Sequence, residues 1–202
     1  MKIEEMIAAV QQAIGVDVDG KAGPQTWGAL YERLVNKDVE GVSASEAISK
    51  VDDRSEKNIA TLLPQVQPIA RALVQKAHVA GINIKIISGL RTYEEQNELY
   101  AQGRTKPGGI VTNARGGHSN HNFGIAFDIG VFEGSKYLTA SPKYKAVGAL
   151  GIDLGLEWGG NWKTIVDEPH FQLRPTWAIN LSEKQMLTEL RSRHEQNLSA
   201  YA

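Results

Sequence analysis

Apolar residues recur at helical spacing from the start of the chain: Ile3, Met6/Ile7, Val10 and Ile14, with Gly15 as the expected stop. Gly23-Pro24 opens a second helix with proline at its first position, and Trp27, Leu30/Tyr31 and Leu34 make its apolar stripe. Ser43-Ala44-Ser45-Glu46 has capping-box spacing and predicts a short third helix. Residues 44–56 are polar, Ser-rich and charged and read as a linker or connecting helix. Beyond them Ile59, Leu62/Leu63, Val66, Ile69/Ala70, Leu73/Val74 and Ala77 form one wide apolar face of a long helix that ends at Gly81. Pro64 and Pro68 make its first part irregular or delay its start.

Strand-like alternation follows over 82–87 and breaks at Gly89. Thr92-Tyr93-Glu94-Glu95 is a second capping box and opens a helix that ends near Gly103. Residues 104–122 are rich in Gly and Asn and read as a loop; 125–131 is a strand. Ser141-Pro142 starts a helix to about Leu150, 156–168 is a loop with two tryptophans, and 170–173 is a strand. Leu181, Met186/Leu187 and Leu190 predict a C-terminal helix. Few strands, separated by helices and long loops, indicate an α+β fold with a small, mostly antiparallel sheet flanked by helices. The organisation expected is a helical module over 1–43, a linker over 44–56, the main domain over 57–180, and a C-terminal helix and tail over 181–202.

Composition narrows the chemistry. A hydrophobic content of 42% and a charged content of 22% describe an ordinary soluble globular chain. A net charge of -1 gives no reason to expect nucleic acid or an anionic membrane as partner. There is no cysteine, so disulfides and thiolate metal sites are excluded and any metal must use His, Asp or Glu. No signal peptide and no membrane-spanning run is visible. Asp17-Val18-Asp19-Gly20 lacks the further acidic residues of a calcium loop and reads as a turn.

Within 125–129, alternation puts Ala126 and Asp128 on one face and Ile125, Phe127 and Ile129 on the other. The second set is core. The first is a small residue beside a carboxylate, which leaves room for a metal; a buried Asp needs a partner in any case. His170 and Gln172 share a face while Phe171 and Leu173 turn inward, and Pro169 restricts the backbone just before the imidazole. His118 and His121 both lie near the entry to the 125–131 strand, and Asp167 and Glu168 both precede His170.

The segment Ser119-Asn120-His121-Asn122-Phe123-Gly124-Ile125-Ala126-Phe127-Asp128, followed by Asp167-Glu168-Pro169-His170, resembles the zinc peptidoglycan peptidases. That family includes D-alanyl-D-alanine carboxypeptidases and phage L-alanyl-D-glutamate endopeptidases (endolysins), whose fold is the zinc D,D-peptidase or hedgehog-like one. Ser88-Gly89-Leu90-Arg91-Thr92 with Glu95-Gln96 and 99–104 is similar to the segment that carries the family's transition-state arginine, and Glu157-Trp158-Gly159-Gly160-Asn161-Trp162 to the stretch before its last ligand. The resemblance covers roughly residues 54 to 175. It implies Zn²⁺ held by His121, Asp128 and His170, selecting His121 over His118 because it falls seven residues before the Asp. It implies Asp167 as general base, three residues before His170, in preference to Glu168, and Arg91 as the group that holds the developing oxyanion. The family often has Glu at the base position; Asp is one methylene shorter, so the backbone must come closer. Ser119, Trp158 and Trp162 are the candidate substrate-binding residues, with core packing as the competing role for the tryptophans.

The activity implied is hydrolysis of an amide in the peptidoglycan stem peptide, with the L-alanyl-D-glutamate bond favoured over the D-alanyl-D-alanine end. Val18-Asp19-Gly20-Lys21-Ala22-Gly23-Pro24-Gln25-Thr26 resembles the loop of the three-helix peptidoglycan-binding domain, with Ala22 where an aromatic is common. The setting expected is a monomeric phage or prophage endolysin, made in the cytoplasm and acting on the wall from the periplasm after release. Three rivals stand beside it: a D-alanyl-D-alanine carboxypeptidase, a non-catalytic wall-binding protein stabilised by zinc, and a zinc peptidase of ordinary proteins, which the missing His-Glu-x-x-His disfavours.

Overall fold

The computed structural model describes residues 3–23, 26 and 50–201. The chain divides into two compact units, Met1–Ala47 and Ile48–Ala202. In the first, α1 (Ile3–Ile14) ends at Gly15, as the periodicity indicates. The buried Gln11 side chain then organises the following loop. Its amide nitrogen donates to Asp19 Oδ1 at 2.7 Å, to Lys21 O at 3.0 Å and to Thr26 Oγ1 at 2.9 Å, while its oxygen accepts from Gly20 N at 2.8 Å. Asp19 is thus spent within a turn rather than held for calcium. The helices expected from Gly23-Pro24 and from Ser43-Ala44-Ser45-Glu46 lie outside the described residues.

The second unit holds a five-stranded antiparallel sheet. Its strands are β1 (Asn83–Ser88), β2 (Ala126–Glu133), β3 (Lys136–Leu138), β4 (Glu157–Trp158) and β5 (His170–Gln172). The order is β1-β2-β5-β4, with β3 pairing on β2. This is the α+β architecture with a small antiparallel sheet. Two short strands go unread in the sequence, β4 inside a stretch that reads as loop and β3 in one with no assignment; two or three residues are too few for a period to be seen.

The long apolar face after the linker belongs to two helices. Asp52 caps α2 (Asp53–Ile59), accepting from Ser55 N, and α3 (Gln67–Val79) starts late with Pro68 in its first turn. Residues 52–56, expected as a linker or connecting helix, are helical from Asp53 and part of this unit. Ser55 is fully buried and its hydroxyl accepts from Ile86 N at 2.9 Å, which ties α2 to β1. Ala70, Leu73, Val74 and Ala77 of α3 pack with Ile84, Ile86, Phe127, Ile129 and Phe171 in the main core. Phe127 and Phe171 stack at 5.8 Å between ring centroids. In the same core, α5 (Lys143–Asp153) packs beside α3 and presses against β4 and β5: a Cβ at Gly148 would lie 2.5 Å from the Trp158 ring and one at Gly151 2.3 Å from the Phe171 ring.

A second core joins Phe123, Ile125 and Ala178 to Met186 and Leu190 of α6 (Glu183–Glu195). The C-terminal helix is thus packed into this unit rather than trailing from it. Ile125 belongs to this second core, whereas Phe127 and Ile129 belong to the first. Among the described residues no helix is long and apolar enough to cross a membrane.

The sheet sets the positions that matter below. β2 and β5 pair with Asp128 directly opposite His170. β1 and β2 run in register until a bulge between Ile86 and Ser88, after which Ser88 faces Asp128. The capping box of Thr92 and Glu95 then starts α4 (Tyr93–Ala101).

Candidate metal centre and its cleft

His121 lies in a 3₁₀ turn, Asn120–Phe123, whose four side chains are all buried. Phe123 anchors the turn in the second core. Asn122 pins its other side: Oδ1 accepts from Gly117 N at 2.9 Å and Nδ2 donates to Arg91 O at 2.8 Å. Gly124 closes the turn at φ 67°, a conformation that favours glycine, and delivers the chain into β2. The His121 ring places Nδ1 2.8 Å from Gly89 O. A carbonyl can only accept, so Nδ1 carries the proton and Nε2 is left as a donor of electrons. Gly89 is required there for closeness: a Cβ on it would meet Thr61 Oγ1 at 2.4 Å and Asn58 O at 2.5 Å.

His170 is fixed by the same logic from the other ring nitrogen. Its Nε2 lies 3.0 Å from Gln172 Oε1, and Gln172 Nε2 donates to Glu157 Oε2 at 2.6 Å, which sets the amide's orientation. Asn120 Nδ2 also donates to Gln172 Oε1, and Arg174 pairs with both Glu157 and Glu183 behind it. The free Nδ1 of His170 and Nε2 of His121 each stand 3.3 Å from the same atom, Asp128 Oδ1.

The donor atoms of His121, Asp128 and His170 all lie within 4.8 Å of one another, the one such cluster of His or carboxylate groups among the described residues. They fit zinc. Two ligands at ~2.05 Å from zinc across a tetrahedral angle are about 3.3 Å apart. Two imidazoles with fixed tautomers and one carboxylate make a three-ligand set of the kind that leaves one corner open. The acid–base balance points the same way. Burial pushes the Asp128 carboxyl up, but the adjacent His121 and His170 outweigh it and hold it well below the usual carboxylate range. Burial pushes His170 down, yet the hydrogen bond and charge of Asp128 leave it raised. An anion held ionised beside an imidazole drawn to a proton is a site that calls for a cation.

The cluster opens on a cleft of about 1350 Å³. Asp167 lines it; Glu168 does not, and its carbonyl instead accepts the Trp158 indole N–H at 2.7 Å. Burial raises the pKa of Asp167, and the negative charge of Asp128 adds to it. The Asp167 backbone is held by Gly159 O, 3.1 Å from its N–H, and accepts in turn from His170 N at 3.2 Å, so the carboxylate is carried on the same short loop as the ligand.

Arg91 does not pair with Glu94 or Glu95. Glu95 serves the Thr92 cap, and the guanidinium turns inward. Nη1 donates to Gln96 Oε1 at 2.8 Å, Nη2 to Ser88 Oγ at 3.1 Å, and Nη2 stands 3.8 Å from Asp128 Oδ2.

Of the expected substrate-binding residues, Ser119 lies half-buried on the lining and Trp162 forms a wall, its ring 4.8 Å from that of His170. Trp158 also borders the cleft but is chiefly a core residue: it is 8% exposed, bounded by Gly148 and Gly160, with its indole N–H satisfied. His118 is exposed, 3.4 Å from Arg191 Nη1, and outside the ligand cluster. Gln96, Asn120, Asn122, Glu157 and Arg174 were not legible as supports. Alternation places Gln172 on the His170 face, while its hydrogen bond to the imidazole emerges only in the fold.

A family model described as D-alanyl-D-alanine carboxypeptidase matches residues 112–173. The chain is 40% identical over 124 residues to the peptidoglycan L-alanyl-D-glutamate endopeptidase CwlK of Bacillus subtilis, covering 56% of this chain and 74% of that protein. It is 30% identical over 122 residues to the L-alanyl-D-glutamate peptidase of Listeria phage A118, covering 59% of this chain and 40% of the phage protein. Among solved structures, the L-Ala D-Glu endopeptidase ChiX of Serratia marcescens aligns at 24% identity and a TM-score of 0.48, over 64% of this chain and 93% of that one.

Proposed function

Because the chain belongs to the M15 family of peptidoglycan metallopeptidases, we propose that it hydrolyses the L-alanyl-D-glutamate bond of the peptidoglycan stem peptide. The observation that carries the reading is one of convergence. Asp167 and Arg91, which a purely structural zinc site does not require, both line the cleft onto which His121, Asp128 and His170 open. The 40% identity to an enzyme of that name favours this bond over the D-alanyl-D-alanine end.

His121, Asp128 and His170 would hold the zinc ion. When bound there, zinc supplies Lewis acidity, bringing water toward a neutral pKa and polarising a carbonyl. Asp167 takes the proton of the attacking water and returns it to the departing amine; its raised pKa suits both transfers. Arg91, locked by Gln96 and Ser88, presents fixed N–H donors to the carbonyl oxygen as it becomes negative. Trp162 walls the cleft, and Ser119 offers a hydroxyl on its lining. No nucleophilic Ser or Cys is called for.

The substrate sets the place of action, the cell wall, and a phage or prophage endolysin acting as a monomer is the setting this reading favours. Mass spectrometry of fragments released from purified peptidoglycan, with and without a chelator, tests it. The expected products are stem peptides that begin at D-glutamate, absent when the metal is removed. Release of free D-alanine would assign the carboxypeptidase reaction instead, and no release would leave a wall-binding protein. Arg91→Met is expected to lower kcat/KM on a soluble stem peptide by about two to three powers of ten with zinc content unchanged. An unaltered kcat/KM would remove Arg91 from the chemistry.

A further inference from the structure

This inference rests on the L-alanyl-D-glutamate reading and asks how the glutamate would be recognised. A glutamyl residue joined onward through one of its carboxyl groups keeps the other as a free anion, a few bonds from the nitrogen released on hydrolysis. A site for it needs an available cation in the cleft.

Most charges along the cleft are already committed. Arg174 pairs with Glu157 and Glu183, and Arg91 is held by Gln96 and Ser88 beside Asp128. Two lining cations, Arg115 and Lys163, have no carboxylate partner among the described residues. They differ in how they are held. The Arg115 guanidinium lies over the Tyr100 ring, 4.8 Å from its centre. Its loop is pinned on both sides: Ala114 O accepts from Gln96 Nε2 at 2.8 Å, Gly116 N donates to Asn97 Oδ1 at 2.9 Å, and Arg115 O accepts from His118 N at 2.9 Å. Among the described residues no such ring or pinned loop holds Lys163, although both cations are exposed.

Gln96 makes the arrangement specific to the reaction. It is fully buried, and the same amide that donates to Ala114 O accepts from Arg91 at 2.8 Å. One rigid side chain therefore spaces the oxyanion-facing arginine from the residue next to Arg115. We propose that Arg115 is a specificity residue that binds the free carboxylate of the D-glutamyl residue beside the cut bond. A planar fork stacked on an aromatic ring suits a carboxylate better than a flexible ammonium does.

Two matched peptides test this with the zinc-loaded full chain: one carrying L-alanyl-D-glutamate with its carboxylate free, the other with that carboxylate amidated. The wild type is expected to prefer the free acid about ten- to a hundredfold in kcat/KM, the range of a hydrogen bond to a charged group. Arg115→Met should erase the preference by slowing the acid substrate far more than the amide. Arg115→Lys should keep part of it, and Lys163→Met all of it. Zinc content and far-UV circular dichroism verify that each variant is folded and loaded. The proposal is overturned if Arg115→Met and Arg115→Lys keep the full preference, if both slow the two peptides equally, or if Lys163→Met removes it. A wild type that cuts neither peptide but releases D-alanine from a D-alanyl-D-alanine end overturns the bond assignment, and the role of Arg115 with it.

Discussion

Asp167→Asn is expected to lower turnover on a soluble stem peptide by about three powers of ten while the protein keeps a full equivalent of zinc. Asparagine preserves the shape of the side chain and the backbone bonds to Gly159 and His170, but it cannot accept a proton. Asp167 is not one of the three clustered ligands, so the metal should stay. Kinetics paired with metal analysis of the same preparation read both quantities, and loss of zinc would reassign Asp167 as a ligand. Glu168→Gln is the control: its side chain is off the cleft lining, so near-normal turnover is expected. Stability adds a second readout. Burial and the charge of Asp128 raise the Asp167 pKa, so the folded state holds this proton more tightly than the unfolded state. That contribution is present at low pH and lost as pH rises through the folded pKa. In the metal-free protein at neutral pH the ionised carboxylate is thus a liability, and Asp167→Asn should melt no lower than wild type.

His121→Ala is expected to lose both the metal and the activity. The imidazole is one of three ligands, and its removal leaves a two-ligand remnant and a Gly89 carbonyl without its donor. Metal analysis after dialysis and a thermal melt with added zinc give the result. Wild type should bind zinc and melt higher in its presence, and His121→Ala should do neither. His118→Ala should retain zinc and most activity, since that ring is exposed and outside the cluster. Full zinc in His121→Ala, or none in His118→Ala, would mean the wrong histidine has been assigned.

Much of this was legible in the sequence for definite reasons. Alternation along Ile125-Ala126-Phe127-Asp128-Ile129 placed Asp128 opposite the core face, because a period of two is strict in a strand. The Thr92–Glu95 capping box fixed the start of α4. The late start of α3 followed from Pro68. What escaped was non-local. Residues 52–56 read as linker because Ser55 and Glu56 are polar; only the fold shows Ser55 buried against Ile86 N and Glu56 paired with Arg71 at 2.8 Å. Cleft wall and core packing stay level for Trp158 in the sequence because one of the two glycines against its ring, Gly148, comes from a helix ten residues away; the residue serves both roles. Polar supports such as Gln96 and Asn122 carry no spacing signature, since each ties near neighbours to a backbone carbonyl far along the chain, Ala114 O and Arg91 O respectively.

The facing of Asp128 and His170 across β2 and β5 has a consequence for folding. A slip of one residue between these strands would turn every side chain of one of them over, sending the carboxylate and the imidazole to opposite sides of the sheet. Such a mispaired chain could not capture the cation. Zinc therefore rewards only the correct alignment, drawing the population toward it by an amount that grows with metal concentration relative to its dissociation constant. The ion that equips the enzyme for hydrolysis also proofreads the pairing of its own strands.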